Sequence, residues 1–279
     1  MLLDDSSTSV RTANRRKYKN TFRIDSITII NQSIVTEQLI LRIFTSEPTP
    51  LAETPPMDYQ LLFKVNETIF LRDPEGSNIG RQIVKKAIDL IYELGFEQFT
   101  FKKLAVEINS TEATLYRYFE NKHRVLLYIL NWYWSYMEYL MDFKLQNISD
   151  TKEKLNIILE LLTHELSESS GQLDYNKKFL NHIVIAESSK VYLVKEVAEI
   201  NKNAVFKPYK DLCAKIAKVI SEYSPSYRYP KSLSTTLIET SHSQQYFSIY
   251  LPRLTDAVPE TRSEFTYRFL QDLLFKTIA

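Results

Sequence analysis

The segment Thr111–Lys122 concentrates side chains that can read and grip a polyanion. Arg117 offers a planar fork of donors that can pair with the edge of a guanine, and the methyl of Thr114 can meet that of a thymine. Tyr116, Tyr118 and Lys122 cluster at the far end, where two hydroxyls and an ammonium suit phosphate oxygens and would set a docking register. Glu112 and Ala113 complete the outward side, and Thr111, Thr100 and Lys103 join the same candidate nucleic-acid set from neighbouring helix starts. This is the chemistry of groove recognition by one short helix.

For those groups to face outward together, Leu115 and Phe119, four residues apart, must form the buried side of that helix. Thr111 stands where its N-cap belongs, and Asn109, two residues earlier, tolerates the left-handed conformation that a sharp turn requires. Upstream, Phe101, Leu104, Ala105 and Ile108 give the inward positions of a helix capped by Thr100, with Ala105 small where the next helix must cross. Before it, Ile83, Val84, Ala87, Ile88, Ile91 and Leu94 make one apolar stripe that ends at Gly95. The spacing predicts three short helices over 77–122, a helix-turn-helix head.

The arrangement Gly95-Phe96, Thr100, Leu104-Ala105 and Thr114-Leu115-Tyr116 with Phe119 and Lys122 resembles the N-terminal head of the TetR (tetracycline repressor-like) family of transcriptional regulators. The resemblance covers about a sixth of the chain. In the turn, Ile108-Asn109-Ser110-Thr111 stands where the family usually has Ala-Gly-Val-Ser, so the turn and cap are kept while Ser110 replaces a small core residue. The resemblance implies a sequence-specific transcriptional regulator, a ligand-responsive repressor acting as a homodimer on a palindromic double-stranded DNA operator. The alternative is a helical DNA-binding or interaction protein that senses nothing.

Composition narrows the other classes. A chain of 279 residues, 44% hydrophobic and 25% charged, can hold two modest folded domains. The net charge is +1, and from Ser77 to Arg124 eight Lys/Arg face six acids, so nonspecific affinity for DNA is weak and pairing of two heads is needed. Four glycines leave no phosphate-cradling loop or serine-nucleophile elbow. His123, His164, His182 and His242 are scattered, and His164 with Glu165 and Glu168 lacks a second histidine at metalloprotease spacing. No enzyme, metal or cofactor is expected. The lone Cys213 suits a reducing compartment, and the apolar run around Trp132–Met141 is too short to span a membrane, so a cytoplasmic protein is expected.

Residues 1–56 precede the pattern as an N-terminal extension that ends in a Pro-containing linker, with 57–76 as a lead-in. Arg11, Arg15, Arg16, Lys17 and Lys19 can track phosphates or simply be solvated, and Thr21–Phe44 is β-branched and apolar. Met57 is an alternative natural start, which would make the extension a misassigned one.

From 123 to 279 the periodicity stays helical. Asn121 caps a long aromatic helix, Asp150 and Glu153 form a capping box for the next, and Pro208 should kink or end a later one. The inward residues of the last two helices are read as Leu233, Leu237, Phe247 and Leu251, then Phe265, Phe269 and Leu273. The resemblance implies that this bundle senses a ligand and dimerises through its C-terminal helices. Tyr128, Trp132, Tyr136 and Tyr139 share one helical face. That face is either core or the ring-lined pocket of a small apolar or aromatic ligand. The expected fold is all-α, a three-helix head plus a helical bundle, behind an extension of unassigned structure.

Overall fold

The computed structural model describes residues 21–24, 27–31, 59–164, 175–192, 195 and 197–279. Eleven helices form the head and the bundle among these residues: α1 Asn78–Leu94, α2 Phe101–Glu107, α3 Glu112–Tyr116, α4 Lys122–Leu145, α5 Thr151–Thr163, α6 Lys177–Glu187, α7 Ser189–Tyr192, α8 Val197–Lys202, α9 Lys207–Tyr223, α10 Pro230–Tyr250 and α11 Arg262–Thr277. Ahead of them lies an antiparallel sheet, β1 Thr21–Ile24, β2 Ile27–Asn31 and β3 Tyr59–Phe63, in the order β1-β2-β3. Ile24 pairs with Ile27, and Ile27 with Phe63. The all-helical expectation holds for the head and bundle, and the sheet adds order to the extension and lead-in. The basic residues Arg11–Lys19 lie outside the described residues, as does most of Thr21–Phe44.

Helix α4 organises the molecule because almost all of it is buried, from Val125 to Met137 without a break. It packs against α1, α5, α6 and α9. The stripe Leu155, Ile158, Leu159 and Leu162 buries α5, and Leu212, Ile216 and Val219 bury α9, as their spacing requires. Leu166, the next position at that spacing, lies outside the described residues. Pro208 occupies the first turn of α9, where a missing N–H costs nothing, so it opens that helix.

The last two helices turn differently from their sequence reading. Helix α11 buries Thr266, Leu270 and Leu274 and leaves Phe269 39% exposed. Helix α10 buries Leu233 and Leu237, but further along its inward face becomes polar, with Ser241, Gln245 and Ser248 buried and Leu251 exposed. Ser241 Oγ and Gln245 Nε2 both donate to the carbonyl of Leu162 on α5, at 2.5 and 3.3 Å, satisfying groups that burial would otherwise penalise. No helix among the described residues is long and apolar enough to cross a membrane.

Candidate nucleic-acid interface

Local bonds set each corner of the head. Ser77 Oγ accepts from Gly80 N at 3.1 Å to start α1, and Gly95, at φ 76°, ends it with its N–H on Ile91 O. Thr100 caps α2 through Lys103 N, and Asn109 makes the turn at φ 50°. Thr111 caps α3 through Thr114 N, and Asn121 caps α4 through Arg124 N. Inside, Ile83, Ala87, Leu104, Leu115 and Phe119 are almost fully buried. The head is therefore a packed body with α3 laid on its outside.

On that outside Glu112, Ala113, Tyr116 and Arg117 are exposed and Thr114 half-buried. Thr114 Oγ1 lies 3.1 Å from Thr111 Oγ1, which holds its methyl and hydroxyl in fixed positions. The Tyr116 ring rests edge-on against Phe101 at 4.9 Å while half its surface stays open. Thr100 and Lys103 are exposed on α2, and Lys103 Nζ reaches the carbonyl of Gln98.

Two residues assigned to phosphate are used internally. Tyr118 is 1% exposed, its hydroxyl lies 2.8 Å from Ser77 Oγ, and its ring carries the Arg72 guanidinium at 5.2 Å. It ties the end of α3 to the start of α1 and does not face solvent. Lys122 Nζ donates to the carbonyls of Phe96, Glu97 and Phe99 at 3.1, 3.1 and 3.3 Å, which employs all three ammonium hydrogens. It clamps the corner between α1 and α2. The aromatic face of α4 also needs correction. Phe63 sits on Trp132, Tyr136 and Tyr139 at 5.1–6.1 Å, and Phe70 and Phe119 close on Tyr128. These rings are core, covered by the lead-in segment.

Sequence reading missed the two fastenings between head and body. In the first, Glu75 Oε1 accepts from Tyr128 at 3.2 Å and from Tyr175 at 2.6 Å, and burial with that nearby carboxylate holds the Tyr128 phenol well above its usual pKa. The backbone N–H of Leu71 donates to Tyr118 O in the same segment. In the second, Glu187 on α6 accepts from Phe96 N at 3.1 Å, while Lys190 bridges Glu187 and Glu97 at 2.8 and 2.9 Å. The bond to Lys190 lowers the pKa of Glu97; burial opposes the charge on Lys190, but its two carboxylates outweigh that and raise its pKa. Neither fastening leaves a short-range sequence signal, because the partners stand far apart along the chain.

This geometry agrees with the comparisons. Residues 83–129 match the family of bacterial regulatory proteins, tetR family. Among solved structures, a protein described as a TetR-family transcriptional regulator from Syntrophomonas wolfei is 15% identical with a TM-score of 0.51, over 71% of this chain and 97% of its own. The fatty acid degradation regulator FadR from Bacillus halodurans is 17% identical with a TM-score of 0.50, over 68% and 93%. At such identities these likenesses speak for the fold alone. No curated protein matches the chain. The segment around α1–α3 thus matches the DNA-binding head of the tetR family, and the chain beyond it has the helical fold of the solved structures.

Proposed function

We propose that the protein is a ligand-responsive repressor that works in the cytoplasm as a homodimer on a palindromic operator. The observation that carries this reading is α3, whose outward residues Glu112, Ala113, Thr114 and Arg117 form a thin mixed face on a rigid, internally bonded head. Such a face fits the major groove, where Arg117 would read a guanine and Thr114 a thymine methyl. Tyr116, with Thr100, Lys103 and the α3 start at Thr111, would meet the flanking backbone.

Pairing is supported by apolar side chains left open on the C-terminal hairpin: Ile249, Tyr250, Leu251, Leu254, Val258 and Phe269. A two-fold axis there would set two copies of α3 about one DNA turn apart, roughly 34 Å. Ligand control would act through α4, which begins directly after the head and passes into the bundle. The deciding experiment is selection of bound sequences from a random DNA pool with the full-length protein. Enrichment of a palindrome is the expected result, and the absence of any enriched sequence at low salt would sink the proposal.

A further inference from the structure

Two neighbouring stripes run along α4, and they differ in what covers them. The stripe Tyr128–Trp132–Tyr136 is filled by rings. The adjacent stripe Arg124–Leu127–Asn131–Trp134 borders empty space instead. Its outer end opens into a cleft of about 430 Å³, between the first turns of α4 and helices α7 and α8. The floor of this cleft is Leu127, Val191 and Ile200, and its polar lining is Glu120, Asn121, His123, Arg124 and Lys190. Such a volume suits a small organic molecule. Further along, beside Leu127, Asn131, Trp134, Tyr192 and Phe206, lies an inner void of about 10 Å³, room for a single oxygen atom.

The inner void has unanswered chemistry. Asn131 and Trp134 are each 3% exposed. Asn131 gives its Nδ2 hydrogen to Leu127 O at 3.0 Å, but its Oδ1 has no partner, and neither has the indole N–H of Trp134. Buried groups in this state are costly unless something completes them. This acceptor and donor stand a helical turn apart, and the hydroxyl of Tyr192, which lines the same void, is likewise buried without a hydrogen-bond partner. Together they are complementary to a group that both gives and takes a hydrogen bond. No charged side chain lines the void among the described residues, so a carboxylate or ammonium would enter without compensation.

We propose that this stripe of α4 is a ligand site for an uncharged amphiphile with a terminal hydroxyl. The hydroxyl donates to Asn131 Oδ1 and accepts from Trp134 Nε1, and the apolar body lies in the outer cleft over Leu127, Val191 and Ile200. Leu127 lines both spaces and must shift to admit the chain. The assignment deepens the ligand-responsive reading and rests on it for its consequence. Lys190, in the polar lining, also holds Glu97 and Glu187, so an occupant there bears on the fastening between head and body.

The test is calorimetric titration of the full chain with 1-octanol, with octanoate and octylammonium as length-matched charged probes. Saturable binding of octanol, at least tenfold tighter than either charged probe, is expected. Asn131→Leu and Trp134→Phe should each weaken octanol about tenfold, as loss of one buried hydrogen bond implies. Trp132→Phe, on the ring-filled stripe, should not. Asn131→Leu also removes an unsatisfied acceptor, so its melting temperature should hold or rise, which separates a lost ligand from a lost fold. No saturable octanol binding, equal binding of all three probes, or undiminished affinity in Asn131→Leu would each overturn the site. Operator selection is a separate measurement, so a failure of the regulator reading would leave the calorimetric result standing.

Discussion

Arg117 and Lys122 carry the same charge five residues apart, yet one faces solvent and the other is bonded inside the head. Arg117 is exposed at the end of α3, so Arg117→Ala should change stability by no more than about 0.5 kcal/mol while relaxing preference at one base pair of the selected sequence, by about 1–3 kcal/mol. Lys122 is spent on three carbonyls of the corner at 96–99. Lys122→Ala should lower stability by on the order of 1–2 kcal/mol, and the slope of DNA affinity against salt should stay unchanged. A reduced slope with unchanged stability would return Lys122 to the phosphate contacts. His242 supplies a pH test. Burial alone pushes its pKa down to about 4, from an ordinary value near 6.5. The folded protein therefore binds this proton less readily than the unfolded chain, so stability is complete above about pH 6.5 and declines as pH falls toward 4. At about pH 5 the loss should be about 2 kcal/mol, and His242→Phe should remove that component of the melting curve's pH dependence. The thiol of Cys213, pushed up to about 11 chiefly by burial, should stay unreactive toward alkylating reagents in the native state.

At the scale of elements, the unexpected part is the covering that the lead-in gives to α4. Phe63, at the end of β3, is 4% exposed and touches three aromatic side chains of α4, so Phe63→Ala should cost about 3 kcal/mol or more, measured by denaturant unfolding. Gly80 shows how tightly the same lead-in lies on α1. A Cβ there would stand 2.2 Å from the Pro74 carbonyl oxygen, so Gly80→Ala must displace the segment that brings Glu75 to Tyr128 and Tyr175. The starts of α2, α3 and α4 were legible in the sequence because a Thr or Asn cap bonds to a backbone N–H three residues on, well within a local pattern. The duties of Tyr118 and Lys122 were not, since their partners lie 41 and 23–26 residues away. The aromatic stripe was legible as a face but not as a filled one, because nothing in the spacing of Tyr128, Trp132 and Tyr136 tells that Phe63 and Phe70 will settle on it. Helix α11 was misjudged for a related reason. It carries apolar residues on two sides, and when Phe265 and Phe269 compete with Leu270 and Leu274, only the packing of α5 and α10 decides which side turns in.

For the whole molecule, that reversal of α11 supplies the sharpest test of assembly. Phe265 and Phe269 stack at 6.2 Å on the outward side of the last helix, in the same C-terminal hairpin as the exposed Leu251, Leu254 and Val258 of the link from α10. A single helical head of near-neutral local charge would bind DNA weakly, so in the proposed dimer operator affinity would depend on two heads acting together. If this hairpin is the surface through which copies meet, Phe269→Lys places a charge in the paired surface without touching the buried stripe Thr266–Leu270–Leu274. The expected outcome is a folded monomer by sedimentation, with an unchanged helical signal and melting temperature apart from any concentration dependence. Affinity for a full palindrome should then drop toward that for an isolated half-site, whereas Arg117→Ala should leave the dimer intact and alter only the bases preferred. A Phe269→Lys protein that remained dimeric and bound the palindrome as before would place the two-fold axis elsewhere on the bundle.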